Sequence, residues 1–373
     1  MMDSLFQPFA VKSLRLRNRI VMAPMSQGRA PDGQPDARYV DHFRKRAEGE
    51  TGLIIAGSSS VDHPQAGFDD DEPHFHGTAL ATWSAIVEQV HATGGAIVPQ
   101  VSHAGLQGLA AVAPPWAGMA PSGLWMKGAQ VGTAPVSEQR GVPMTLDEID
   151  GVVRSFARAA ADAQALGFDG IEIHGGHGFL IDQFLWSHTN QREDRYGTER
   201  ARFASEIVAA CRAEVGPEFA ILFRFSQFKM TDYGARLAHT PDELEAMLRP
   251  LVDAGVDVFD CSQRRFWRAE FPGSTLNLAG WVKALSGRPT IGGGSVGLDP
   301  KALEYGETGI YATAASASTA TLDDLRARLD REEFDLVSIG RAILADPHWA
   351  RKVRAGTIEA LQSYGPEALA WPE

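Results

Sequence analysis

A chain of 373 residues, 44% hydrophobic and 22% charged, is long enough for one large barrel or two ordinary domains, and a single domain is expected. A formal charge of -12 without any Lys/Arg-rich run excludes binding to a phosphate backbone, so nucleic acid is not a partner. Cys211 and Cys261 are too few for a disulfide framework, a zinc ribbon or an iron–sulfur cluster, which fits a reducing cytoplasm.

The N-terminus "MMDSLFQPFAVKSLRLRNRI" carries an acid early and has no continuous apolar core of the kind found in signal peptides. No stretch approaches the roughly 18 apolar residues of a membrane span. A cytoplasmic protein that neither enters a membrane nor is exported is expected.

Eight short apolar runs follow one another along the chain: "RIVMAP" near 19, "GLIIAG" near 52, "AIVPQVS" near 96, "GIEIHG" near 170, "AILFRFS" near 220, "VDVFDCS" near 256, "PTIGGG" near 289 and "FDLVSIG" near 334. Helical segments separate them. Residues 145–167 open with the capping-box pair Thr145 and Glu148 and stop at Gly167, and 240–255 run from Thr240 and Pro241 to Gly255. Eight strand–helix units without a breakpoint predict an α/β fold, a (β/α)8 TIM barrel in one domain. Residues 103–144, rich in Gly, Pro, Ala and Trp, form a long insertion after strand three, read as an active-site lid carrying Trp116 and Trp125; packing of these two on the barrel rim is the alternative. Residues 313–324 read as a loop leading to a helix.

In such a barrel the C-terminal ends of the strands carry the active site. That rule selects Pro24, Met25 and Ser26 after strand one, Ser58 after strand two, Gln100 in strand three, His174 and His177 after strand four, and Arg224 in strand five. It adds "RRFW" (264–267) after strand six, Gly292 to Ser295 after strand seven and Gly340-Arg341 after strand eight. The last two groups combine bare backbone N–H groups with a fixed cation, which suits a phosphate. Gln100 and Arg224 interrupt apolar runs and need partners: either the carbonyl and N–H edges of a heteroaromatic ring, or backbone and an acid inside the barrel. With a phosphate site, the first reading points to a mononucleotide such as FMN.

His174 and His177 are three residues apart across Gly175 and Gly176. Zinc sites take three protein ligands, commonly with a helical i, i+4 pair, and nothing nearby completes such a set, so no metal is expected. Two N–H donors at a strand end instead suit a substrate oxygen on which negative charge develops. His103, after strand three, reads as a structural loop histidine, and Trp267 as either a wall of the outer substrate pocket or a cover on the cofactor edge.

Across nearly the entire chain the sequence resembles the old yellow enzyme family. The likeness is carried by "LRNRIVMAPMSQGRA", "ETGLIIAGSSSV", "VPQVSHAGLQ", "IEIHGGHGFLIDQFLWSHTNQREDRYG", "FDCSQRRFW", "GGGSVGL" and "FDLVSIGRAILADPHW". The resemblance implies a barrel that holds FMN non-covalently, takes hydride from NADH or NADPH and reduces activated C=C bonds by ping-pong turnover. It implies that Pro24, Met25 and Ser26 lie beside the flavin ring, Ser58 at its edge, Gln100 on the pyrimidine carbonyl and N–H, and Arg224 at the N1/C2=O region. Gly294, Ser295, Gly340 and Arg341 would hold the phosphate, while His174 and His177 would bind the carbonyl or nitro oxygen of the substrate.

One position departs from the family pattern. Where a Tyr commonly protonates the α-carbon, this chain has Phe179, which has no proton to give. The change leaves three reactions open: ene reduction with another proton source, nitro reduction, and oxidation of an amine or N-methyl substrate. A non-catalytic flavin-binding barrel and a metal-dependent lyase are the alternatives outside that chemistry. The natural substrate, the nicotinamide preference and the oligomeric state, a homo-oligomer included, stay open.

Overall fold

In a computed structural model of the protein, which describes residues 3–25, 28–108, 118–127, 136–299, 317–365 and 368, the eight apolar runs are eight parallel strands. They are β1 (Ile20–Met22), β2 (Leu53–Ser60), β3 (Ala96–Ser102), β4 (Gly170–His174), β5 (Ala220–Ser226), β6 (Val258–Ser262), β7 (Thr290–Gly293) and β8 (Leu336–Ile339). They close in chain order, with Val337 of β8 opposite Ile20 of β1, and Glu172 of β4 opposite Gln100 of β3.

The period of two along each strand sorts its residues. Ile54, Ile97, Ile171, Ile173, Phe223 and Val337 face outward into the large cluster shared with the helices. Val21, Leu53, Ile55, Val98, Leu222, Val258, Ile291 and Leu336 fill the barrel together with Leu14 and Leu16. Those two leucines belong to an antiparallel hairpin, Phe9–Val11 with Leu14–Leu16, that seals the N-terminal end. Two residues further along the same inward faces the composition turns polar: Val98 gives way to Gln100, Leu222 to Arg224, Val258 to Asp260 and Leu336 to Ser338. The apolar plug therefore forms the floor of a polar cup.

The expected helices form with their caps. Leu146–Ala165 starts on the Thr145–Glu148 capping box, and Pro241–Ala254 starts on Thr240 and stops at Gly255, whose φ of 111° is left-handed. Each such N-cap stabilises its helix by about 1 kcal/mol. No helix among the described residues is long and apolar enough to cross a membrane.

The 103–144 insertion has secondary structure of its own. Leu124–Lys127 pairs antiparallel with Val136–Gln139, and Gly118–Ala120 pairs parallel with Gly141–Pro143. Arg192, from the segment after β4, donates to Pro121 O (2.9 Å) and Met144 O (2.6 Å) and ties the insertion down. Trp125 packs against Leu106 and Ala120 and carries Arg140 over its ring. Trp116 lies outside the described residues, as do Ser26 and the first part of the 313–324 segment, whose remainder leads into the helix Leu322–Asp330.

Candidate active site

A cavity of about 610 Å³ opens at the C-terminal end of the barrel, within the range that takes small molecules and cofactors. Pro24, Met25, Ser58, Gln100, His174, His177, Phe179, Arg224, Gly294, Ser295, Gly340 and Arg341 all line it. These twelve residues at seven strand ends converge on one space because they sit past the apolar plug of the barrel.

At one end stand Gly293, Gly294, Ser295, Arg264, Arg265 and Arg341. Gly294 has a φ of 114°, and a Cβ there would lie 2.4 Å from Gln263 O, so only glycine lets the two loops approach. Ser295 Oγ donates to Arg264 O at 2.9 Å and accepts from Arg265 Nη1 at 3.0 Å. Burial, with a smaller push from the neighbouring Arg264, lowers the pKa of Arg341. The helix that Arg341 opens is only Arg341–Ala345, so the cations, rather than a long helix dipole, define this end.

Deeper in the barrel lies the Gln100–Arg224 edge. Either of two partners for these residues was open from the sequence, and the structure supplies the protein ones: Gln100 Nε2 donates to Glu172 Oε1 at 2.7 Å, and Arg224 forms an ion pair with Asp260 and donates to Ser262 Oγ at 3.3 Å. Both side chains still line the cavity.

The histidines adjoin this edge, His174 standing beside Arg224 in the β4–β5 register. Gly175 and Gly176 press against β5, where a Cβ on Gly175 would fall 2.4 Å from the Phe223 ring. His177 then adopts a φ of 61° and its N–H donates to Ser226 Oγ at 2.9 Å. The rings are not two independent donors: His177 Nδ1 lies 3.3 Å from His174 Nε2, and His177 Nε2 lies 2.8 Å from Ser262 Oγ. Burial, reinforced by Arg224, pushes the His174 pKa down to about 3, and burial with His174, Arg224 and Lys229 pushes His177 well below its usual value. Both imidazoles are neutral, each carrying one N–H, and the contact between the rings engages one of the two.

Phe179, buried, stacks on Phe68 with centroids 5.7 Å apart and meets His174 edge-on at 4.7 Å. Phe228, Met230 and Tyr233 continue this wall, with Arg264 over the Tyr233 ring at 3.8 Å. Trp267 is a correction: it is not among the residues that line the cavity. In the run "RRFW" both arginines turn inward, Phe266 is fully buried, and Trp267 packs edge-on against Phe266. His103 is buried too, bonded to Gly105 N and to His63 Nδ1, each at 3.1 Å.

Sequence reasoning missed Phe68, Asp69, Glu72, Glu172, Asp260 and Ser262. Ser58 Oγ donates to Glu72 Oε1 at 2.6 Å, and Phe68 N donates to Glu72 Oε2 at 2.6 Å, so this buried acid joins β2 to the loop that brings Phe68 in. Its signal was available in "FDDDE", where one acid in four has a structural task, but nothing local says which.

The chemistry of the lining suits an anionic tail at the arginine end and a flat ring over Gln100 and Arg224. His174 Nδ1, buried, has no hydrogen-bond partner within the protein. Fold and site together define a mononucleotide-binding barrel oxidoreductase. The chain belongs to the NADH:flavin oxidoreductase / NADH oxidase family, whose model matches residues 4–359. That family is the FMN-dependent NAD(P)H oxidoreductases of the old yellow enzyme type. The chain is 32% identical to an NADPH dehydrogenase of Bacillus velezensis, over 94% of each chain. It is 31% identical to an NADH oxidase of Thermoanaerobacter brockii over 95% of this chain but 51% of that protein, so it spans about half of that longer relative. A structure of morphinone reductase in complex with tetrahydroNAD superposes with a TM-score of 0.77 at 26% identity, covering 99% of this chain and 97% of that one.

Proposed function

We propose that the protein reduces an electron-poor C=C bond whose activating oxygen is held by His174 and His177. FMN, when bound, supplies the hydride after reduction by NADH or NADPH in the same cavity. Pro24, Met25 and Ser58 would border the ring, Gln100 and Arg224 its pyrimidine edge, and Gly294, Ser295, Gly340 and Arg341 its phosphate; Ser26 would join Met25. Neutral imidazoles donate hydrogen bonds to an oxygen as it gains charge, in the manner of an oxyanion hole. Phe179 and Phe68 keep the alkene in a dry aromatic slot. Because Phe179 cannot protonate the second carbon, water at the cavity mouth takes that role. The insertion 103–144 would close over the mouth as a lid.

The observation that carries this reading is the neutral His174–His177 pair in the same cavity as Gln100 and Arg224. The lining charge argues against the oxidative alternative. Arg29, Arg224, Arg264, Arg265 and Arg341 face only Asp69 and Asp260 among the described residues, which disfavours an ammonium substrate. Anaerobic mixing tests both: NAD(P)H should bleach the flavin and cyclohexenone restore it. A flavin bleached instead by N-methyl amines without nicotinamide would reverse the assignment.

A further inference from the structure

Beneath the Gln100–Arg224 edge, two acids face each other inside the barrel. Glu172 and Asp260 are both completely buried, and their carboxyls are near enough to share a hydrogen bond when one of them carries a proton. Glu172 Oε1 accepts from Gln100 Nε2, while Asp260 Oδ2 takes the Arg224 guanidinium. The remaining oxygens, Glu172 Oε2 and Asp260 Oδ1, receive no N–H or hydroxyl donor. Two carboxylates in contact and out of water cannot both stay ionised, and a bond between them requires a proton. Arg224 pairs with Asp260 and favours its ionised form, which leaves the proton on Glu172.

We infer that Glu172 is a positioning residue of the cofactor site, a neutral acid whose single proton, given to Asp260, orients Gln100 and sets the charge that Arg224 presents to the flavin. The chain of bonds has one direction. Gln100 donates its N–H to the Glu172 carbonyl oxygen, Glu172 donates its O–H to Asp260, and Asp260 neutralises Arg224. With its amide nitrogen so engaged, Gln100 keeps Oε1 for a ring N–H. Arg224, Asp260 and Glu172 together sum to no net charge, so the protein holds back the stabilisation that an uncompensated arginine would give to an anionic reduced flavin. The inference rests on FMN as cofactor and not on which compound is reduced.

The test uses the FMN-loaded protein, its flavin midpoint potential, and its infrared spectrum. Asp260→Asn combined with Glu172→Gln removes both carboxyl groups of this pair from beside Arg224 and should raise the preference for reduced over oxidised FMN at least about tenfold, a positive shift of about 30 mV or more for a two-electron couple. Glu172→Gln, a neutral group for a neutral group that can still accept from Gln100 and donate to Asp260, should leave the potential near that of the wild type. Glu172→Leu, which does neither, should weaken FMN binding at least about tenfold, with Gln at the same position retaining it. The wild type should show the C=O stretch of a protonated carboxylic acid that shifts in D2O and disappears in Glu172→Gln. A potential in Glu172→Gln that rises about 30 mV or more above the wild type would show Glu172 to be ionised and overturn the inference, as would the absence of that band from the wild type. These last two measurements stand even if the double variant does not fold.

Discussion

Phe179 meets His174 edge-on, with ring centroids 4.7 Å apart and planes at 67°, so the residue that cannot give a proton is in direct contact with the proposed oxygen clamp. A hydroxyl on that ring would enter the cavity that Phe179 already lines. Phe179→Tyr should therefore speed re-oxidation of the reduced flavin by cyclohexenone, by up to the roughly 10²-fold at the lower end of general acid catalysis. Reduction by NAD(P)H should change less than about twofold. Stopped-flow measurement of the two half-reactions separates them, and an unchanged enone step would show that water protonation is already fast.

The sequence made the barrel and the mouth of the site readable because both follow from local patterns. Apolar runs mark strands, and position at or just past the C-terminal end of a run places Gln100, His174, Arg224 and Arg341 at one rim. What escaped depends on register between strands far apart in the chain. Glu172 reads as the polar step of an alternating strand, and only the pairing of Glu172 with Gln100 across β4 and β3 shows what it bonds. Asp260 becomes Arg224's partner through the β5–β6 register in the same way. Trp267 was misplaced because adjacency in "RRFW" does not say which side chain turns inward. Phe68 reaches the site through a loop held by Glu72, a contact with no periodic signature.

The loop carrying His177 depends on a buried ion pair. Lys229 Nζ lies 2.7 Å from Asp182 Oδ1, both side chains being almost fully buried, and Asp182 Oδ2 accepts from Gly178 N at 2.6 Å. Removing one partner of such a pair leaves a charge buried without compensation, which costs about 3–5 kcal/mol. Lys229→Met should lower the thermal unfolding midpoint by several degrees and weaken binding of a phenol to the oxidised enzyme. Lys229→Met with Asp182→Asn should recover part of the stability, since the amide still accepts from Gly178 and no charge is stranded. A single variant as stable as the wild type would show that the pair is not ionised.

Arg341 is expected to act on the cofactor and not on the substrate. A charged hydrogen bond to a phosphate is worth about 1.5–3 kcal/mol, so Arg341→Ala should weaken FMN binding roughly 10- to 100-fold. Riboflavin, which has no phosphate, should bind the two proteins alike. Fluorescence titration of the apoprotein with each flavin checks this, and an equal loss for riboflavin would place Arg341 elsewhere in the site.

Glu72 gives the fold a pH dependence of known sign. Burial pushes its carboxyl up to about 7 despite the bonds from Ser58, Phe68 and Ser102. A carboxyl whose folded pKa exceeds its unfolded one binds its proton more tightly in the folded state, so the associated stability is fully present below the ordinary value of 4.5 and is lost as pH rises through 7. The shift corresponds to about 3 kcal/mol. Glu72→Gln can keep the geometry, its oxygen accepting from Phe68 N and its nitrogen donating to Ser58 Oγ, without any group to ionise. Measured by denaturant unfolding between pH 5 and pH 8, the variant should gain on the wild type as pH rises, and the difference should level off above pH 8. A constant offset across that range would mean that Glu72 is ionised throughout, and that the link from Ser58 to the Phe68 loop does not change with pH.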